Sequence, residues 1–200
     1  MKKEVAKKII KAILFLITCA TLAACAGGVN LKDYPNITIN DNKKVETIQF
    51  IHPQSSPIET IKACIIENVE NKDIHFKHSV NLLIYGTLFM FLVPDKNDTI
   101  VGGDVILSEK DGVVQAFGNV DLEGIFNSRN FLMFLLTAKN VPNGGTELLF
   151  SKPSIVLEKA GPGRNDGPIP LPIHYLPLFE INYRALENIS NRIGICLNRI

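Results

Sequence analysis

Asp111-Gly112 lies between two β-prone runs, Val105-Ile106-Leu107 with Ile100-Val101 on one side and Val113-Val114 on the other. An Asp-Gly pair in that setting specifies a tight hairpin, because glycine accepts the positive φ that the turn demands. Phe131 to Ala138 and Thr146 to Phe150 read as another strand pair around Val141-Pro142-Asn143-Gly144-Gly145, with a helix the alternative for the first, and Ser154 to Glu158 reads as another short strand. Val45 to Ile51 alternates as a first strand, stopped by His52-Pro53-Gln54. The apolar run Leu82 to Val93 is too short to span a bilayer as a helix and, with Gly86 and its aromatics, reads as a buried strand. The centre of the chain is therefore expected to be mainly antiparallel sheet.

Helical signals lie at the margins of this sheet. Leu178, Ile181, Ala185, Ile189, Ile193, Cys196 and Leu197 recur at steps of three and four, which predicts a C-terminal helix with its cysteine on the apolar face. Ser56-Pro57-Ile58-Glu59 resembles a helix start, with Ser56 as cap and Pro57 at the first helical position. Beyond it, Ile58, Ile61, Ile65 and Val69 suit one helical face, whereas the β-branched density of Ile61 to Val69 suits a strand; a short helical turn running into a strand is the favoured reading. Gly161 to Pro177, with Pro162, Pro168, Pro170, Pro172 and Pro177, reads as an extended loop without regular pairing. The expected fold class is α+β, a mainly antiparallel β-sheet with a C-terminal helix packed on it.

The first residues follow a different logic. Met1 to Lys8 carries a positive charge cluster, Ile9 to Leu22 is apolar except for Lys11 and two threonines, and Ala23-Ala24 follows. This is the order of an export signal: basic region, short apolar region, small-residue cleavage zone. The tetrapeptide Leu22-Ala23-Ala24-Cys25 resembles the lipobox of bacterial lipoproteins. The resemblance covers residues 1–25 and implies that the Cys25 thiol receives a diacylglyceryl group, that the chain is cut before it, and that the new N-terminus is acylated. Several acyl chains hold a protein on a membrane where a single one binds marginally, at about 0.8 kcal/mol per buried methylene. Ala26 is not the aspartate that retains such proteins in the inner membrane, so in a two-membrane host the class pattern implies the periplasmic face of the outer membrane. The plain alternative is an ordinary cleavable signal with a cysteine at that position. Cys19 is a poorer lipidation site because Thr18 precedes it.

The expected organisation is a signal peptide over 1–24, a lipidated N-terminus and flexible tether over 25–44, polar and rich in Asn, Asp and Gly, and one globular domain over 45–200. Removing the signal takes five lysines and one glutamate from a chain with 21 basic and 20 acidic residues, leaving a formal charge of −3. With no clustered basic stripe, that balance disfavours nucleic-acid binding. Besides the anchor only Cys64 and Cys196 remain, and in an oxidising compartment an even pair is expected to form a disulfide; two separate buried thiols are the alternative.

Motifs that would carry catalysis are sparse. Asp73, His75 and His78 give Asp-x-His-x-x-His, but Lys72 and Lys77 interleave and no paired spacing accompanies them, so a solvated connection is favoured over a metal site. His52 and His174 adjoin proline-containing turns and read as structural. Gly102-Gly103-Asp104 reads as a bulge in the hairpin, the alternative being a carboxylate placed where backbones approach closely. The Gly161 to Gly167 loop lacks the Gly-Lys-Ser/Thr ending of a phosphate cradle. After the signal there is no Gly-x-Ser-x-Gly elbow or Ser-x-x-Lys dyad, and Glu59, Glu67, Glu70, Asp104, Asp121 and Glu123 are scattered. No cofactor, metal or catalytic role is expected. The reading is a lipid-anchored, non-catalytic envelope module with a protein or peptidoglycan-associated partner. The alternative is a carrier of lipid or another apolar ligand, with a cavity lined by Leu82 to Val93 and Phe131 to Leu136 between curved sheet and C-terminal helix; a hydrolase with an unrecognised site is third.

Overall fold

The computed structural model describes residues 29–78, 96–123, 129–157 and 167–199. The expected signal peptide over 1–24, Cys25, the run Leu82 to Val93 and most of the Gly161 to Gly167 loop lie outside the described residues.

The fold is α+β. Its strands are β1 (Ile37–Ile39), β2 (Val45–His52), β3 (Ile74–His78), β4 (Lys96–Ile100), β5 (Ile106–Lys110), β6 (Val113–Glu123), β7 (Arg129–Asn140), β8 (Thr146–Leu157) and β9 (Ile169–Pro170). Its helices are α1 (Ile58–Asn68) and α2 (Leu176–Leu197). An antiparallel sheet runs β1-β2-β8-β7-β6-β5, with β9 also paired to β8, and β3 pairs with β4 separately. The expected turn is present: Asp111 (φ 52°) and Gly112 (φ 74°) join β5 to β6, both in the left-handed region that a two-residue hairpin requires.

Alternation sorts the long strands into two faces. Val114, Ala116, Leu132, Phe134, Leu136, Ala138, Leu148, Phe150 and Ile48 are buried in the main core with residues from both helices. On the opposite face, Phe131 and Val156 meet Ile74 and Phe76 of β3 in a smaller cluster. The run Phe131 to Leu136 is thus divided between two packed faces.

Strand β8 is one element where the sequence suggests two. Between the pairs Leu135↔Ser151 and Met133↔Ser154 it holds one extra residue, with Lys152 at φ 49°. Its other neighbour changes at the same place: β2 pairs as far as Ser151 and β9 from Ser154. Pro153, which has no N–H to offer, falls in the changeover, and its carbonyl accepts from the Leu171 N–H at 2.9 Å.

The proline-rich stretch is paired from 169 onward, contrary to the expected open loop. Prolines at 168, 170 and 172 leave the alternate N–H groups free, and those of Leu171 and Ile173 donate to the Pro153 and Lys43 carbonyls. Leu171 and Ile173 are buried in the core. Proline at every second position removes donors from one edge only, so an edge strand still forms.

The tether also requires correction. Residues 29–44 belong to the folded body: Leu31–Asp33 forms a 3-10 turn, β1 pairs with β2, and Val29, Leu31, Tyr34, Ile37 and Ile39 pack on the core. Their apolar side chains, spaced among polar residues, find partners only in the tertiary fold.

Helix α1 is helical throughout and does not turn into a strand. Ile61, Cys64 and Ile65 are buried on one side, the i, i+3, i+4 spacing of a helix face. Pro57, not Ser56, is its cap residue. The Ser56 backbone is held instead by Asn140, whose Oδ1 accepts from the Ser56 N–H at 3.3 Å and whose Nδ2 donates to the Ser56 carbonyl at 2.8 Å. Asn119 fixes the other end of α1: its Nδ2 donates to the Lys72 carbonyl at 2.7 Å, its Oδ1 accepts from the Lys72 N–H at 3.3 Å, and its own N–H donates to the Glu70 carbonyl.

Candidate functional site

The seam between α2 and the rest of the fold gathers the side chains with chemical potential. Helix α2 buries Phe179, Asn182, Leu186, Ile189, Ser190, Ile193, Gly194, Cys196 and Leu197. Its first half is therefore turned from the expected stripe: Phe179 and Asn182 face inward, while Leu178, Ile181 and Ala185 are only partly buried. The Asn182 amide helps make this tolerable, donating to the Leu178 carbonyl at 2.7 Å, although its buried Oδ1 has no hydrogen-bond partner among the described residues.

Cys64 and Cys196 form a disulfide that joins α1 to α2. Close to that end of α2, His52 Nε2 lies 2.9 Å from Ser190 Oγ. The other side of the ring rests on Gly194, where a Cβ would come within 2.3 Å of Nδ1. Burial pushes the imidazole below its ordinary pKa, opposed by the hydrogen bond to Ser190. A Ser-His pair acts in catalysis when the hydroxyl reaches substrate and a third group orients the far ring nitrogen. Here Ser190 is fully buried and the glycine backbone occupies the far side, so the pair is a packing contact.

A pocket of about 230 Å³ lies between the 3-10 turn and the start of α2, lined by Asp33, Tyr34, Glu180, Tyr183, Arg184 and Glu187. The Tyr34 hydroxyl donates to Glu180 Oε1 and the Tyr183 hydroxyl to Asn36 Oδ1, both at 3.2 Å. The Tyr34 ring meets Phe179 and Tyr183 edge-on, with centroids 5.0 and 4.9 Å apart. Burial, then the Glu180 carboxylate, raises the Tyr34 pKa, and burial raises that of Tyr183. The phenols stay neutral and act as donors that pin the N-terminal segment to α2.

On another side of α2 a groove of about 570 Å³ opens between the helix and the end of β6. Val120, Leu122, Ala185, Ile189 and Ile195 supply apolar surface, and Asn188, Asn191 and Arg192 supply polar groups. Arg192 Nη2 donates to the Asn68 carbonyl at 3.1 Å, which ties the guanidinium to the end of α1. Asn130, in register with Leu122, is buried with its Oδ1 lacking a partner among the described residues. The sequence did not single out this groove or the tyrosine pocket, because each is assembled from segments far apart in the chain.

The other sequence candidates are dispersed. Asp73 Oδ1 accepts from the Gly102 N–H at 2.7 Å, and His75 Nδ1 lies 3.0 Å from Thr99 Oγ1; the His78 side chain lies outside the described residues. No group of three or more His, Cys, Asp or Glu suited to a metal occurs among the described residues. Gly102 is not in a hairpin bulge: it sits in the β4–β5 connection, where a Cβ would come within 2.3 Å of the Asn71 carbonyl oxygen. Glu70 pairs with Lys72 at 2.6 Å, and Asp121 pairs with Arg129. His174 is exposed.

No family model matches the chain, and no curated protein matches it. Among solved structures it is similar to the crystal structure of a DUF4468 family protein from Bacteroides ovatus ATCC 8483, with a TM-score of 0.48 and 11% identity, covering 84% of this chain and 95% of that one.

Proposed function

We propose that this chain is a membrane-tethered lipoprotein of the cell envelope, acylated on Cys25, whose exported domain is a non-catalytic binding module. The observation that carries the reading is the ordered signal ending in Leu22-Ala23-Ala24-Cys25. The Cys64–Cys196 disulfide supports it independently, since such cross-links persist in oxidising compartments outside the cytosol. In a two-membrane host the destination is the periplasmic face of the outer membrane. Cys25 and Val29 are four residues apart, a fully extended reach of about 14 Å, so the packed body works close to the bilayer and meets an envelope partner there. No helix among the described residues is long and apolar enough to cross a membrane.

A non-catalytic role is supported by the buried Ser190 and by carboxylates engaged in ion pairs. The alternative of a carrier with an internal cavity is less well supported, because Phe134, Phe150, Phe179, Leu186 and Ile193 fill the space between sheet and α2. Metabolic labelling with an alkyne fatty acid, read by intact mass and membrane fractionation, tests the tether. The expected outcome is an acylated chain beginning at Cys25, with a Cys25→Ala variant left unlabelled and uncleaved. An unlabelled wild-type chain would overturn the reading.

A further inference from the structure

We infer that the groove between α2 and the end of β6 binds a long-chain carboxylate, its chain on Val120, Leu122, Ala185 and Ile189 and its head at Arg192. The inference rests on the reading of a binding module working near a bilayer. Among the described residues the lining has five apolar residues, two amides and one cation, and no carboxylate. An apolar floor with a single convergent positive group selects an amphiphile with a negative head over a neutral chain or a cationic peptide. Among the described residues one of the five guanidinium donors of Arg192 is engaged, by the Asn68 carbonyl, and that bond holds the head group at the rim. The planar fork then meets a carboxylate with paired N–H bonds, the stronger geometry for such recognition. Asn188 and Asn191, beside it on the helix, add amide donors. The groove volume, about 570 Å³, lies within the ordinary range for small-molecule sites. The tyrosine pocket has the opposite character, with Asp33, Glu180 and Glu187 against one arginine, and repels an anion.

Photolabelling of the full chain in membrane vesicles tests the inference. The probes are a diazirine-bearing hexadecanoate and the matching hexadecanol, identical except for the head group. The carboxylate is expected to label peptides containing Val120 to Leu122 and Ala185 to Ile195, about tenfold more strongly than the alcohol, as loss of one charge-assisted contact predicts. Arg192→Gln should reduce carboxylate labelling by a similar factor and leave alcohol labelling unchanged, whereas Arg192→Lys, which keeps the charge and loses the planar fork, should give carboxylate labelling between the two. Ala185→Phe should block both probes. Equal labelling by the two probes, or labelling confined to other peptides, overturns the inference. The comparison of probes on the wild-type chain decides the question even where a variant fails to form its disulfide on a non-reducing gel. Acylation of Cys25 is read separately by mass, so failure of the tether and failure of the groove are distinguishable.

Discussion

Breaking the Cys64–Cys196 cross-link should be the most damaging change to this domain that leaves its surface unaltered. The two cysteines are 132 residues apart in sequence. In the chain-entropy account, closing a loop of that length removes about 17 cal/mol/K from the unfolded ensemble, or about 5 kcal/mol at 25 °C. Domains of this kind are stable by about 5–15 kcal/mol in total, so the bond accounts for a third or more of the margin. At about 2–4 °C per kcal/mol for a domain of this size, reduction should lower Tm by roughly 10–20 °C. Urea unfolding of oxidised and reduced protein, with a Cys64→Ala/Cys196→Ala variant as control, measures the difference. The slope of the reduced form should rise, because its unfolded chain is no longer looped and exposes more surface. Both cysteines are buried, so reduction in native buffer should be slow and should accelerate at denaturant concentrations near the transition. A reduced form within about 1 kcal/mol of the oxidised one, on the same scale as single side-chain changes, would refute the loop-entropy reasoning.

Asn119→Ala should cost about 2–3 kcal/mol, since it leaves the Lys72 N–H and carbonyl without their side-chain partner; a denaturant midpoint within error of wild type would mean that the α1–β3 connection is held by other contacts. His52 has a folded pKa below its ordinary value of 6.5, so the fold binds fewer protons there than the unfolded chain does. Its contribution to stability is full above about pH 6.5 and is lost as pH falls through the lowered folded value. A His52→Gln variant should flatten that part of a Tm-against-pH profile, and an unchanged slope would assign the acid sensitivity to other groups.

Local chemistry explains which elements were readable. The Asp111-Gly112 hairpin needs only the φ preference of two adjacent residues, whereas the near-continuous apolar run of β7 suits strand or helix until Phe131 and Leu132 pack on opposite faces of the sheet. Helix α1 was ambiguous because a short segment rich in Ile and Val satisfies both periods until a partner surface selects one. Strand β8 continues through Pro153 because the changeover from β2 to β9 makes room there for a residue without an N–H. The first half of α2 departs from the expected stripe because Asn182 is polar yet its amide finds a hydrogen bond inside, whereas Ile189, Ile193, Cys196 and Leu197 are buried as their spacing predicts.

By itself the sequence determined what acts through short segments: the antiparallel class, the C-terminal helix and the even pair of cysteines, and it carries the pattern ending at Cys25 on which the proposed tether rests. These depend on residue type, spacing and period, which are covalent properties of the chain. The tertiary structure decided that residues 29–44 belong to the body, that the buried Ser190 hydroxyl meets His52, and that Val120, Leu122, Ala185, Ile189 and Arg192 share one groove. Those outcomes depend on which surfaces meet, and burial is set by partners many residues away that no local window contains.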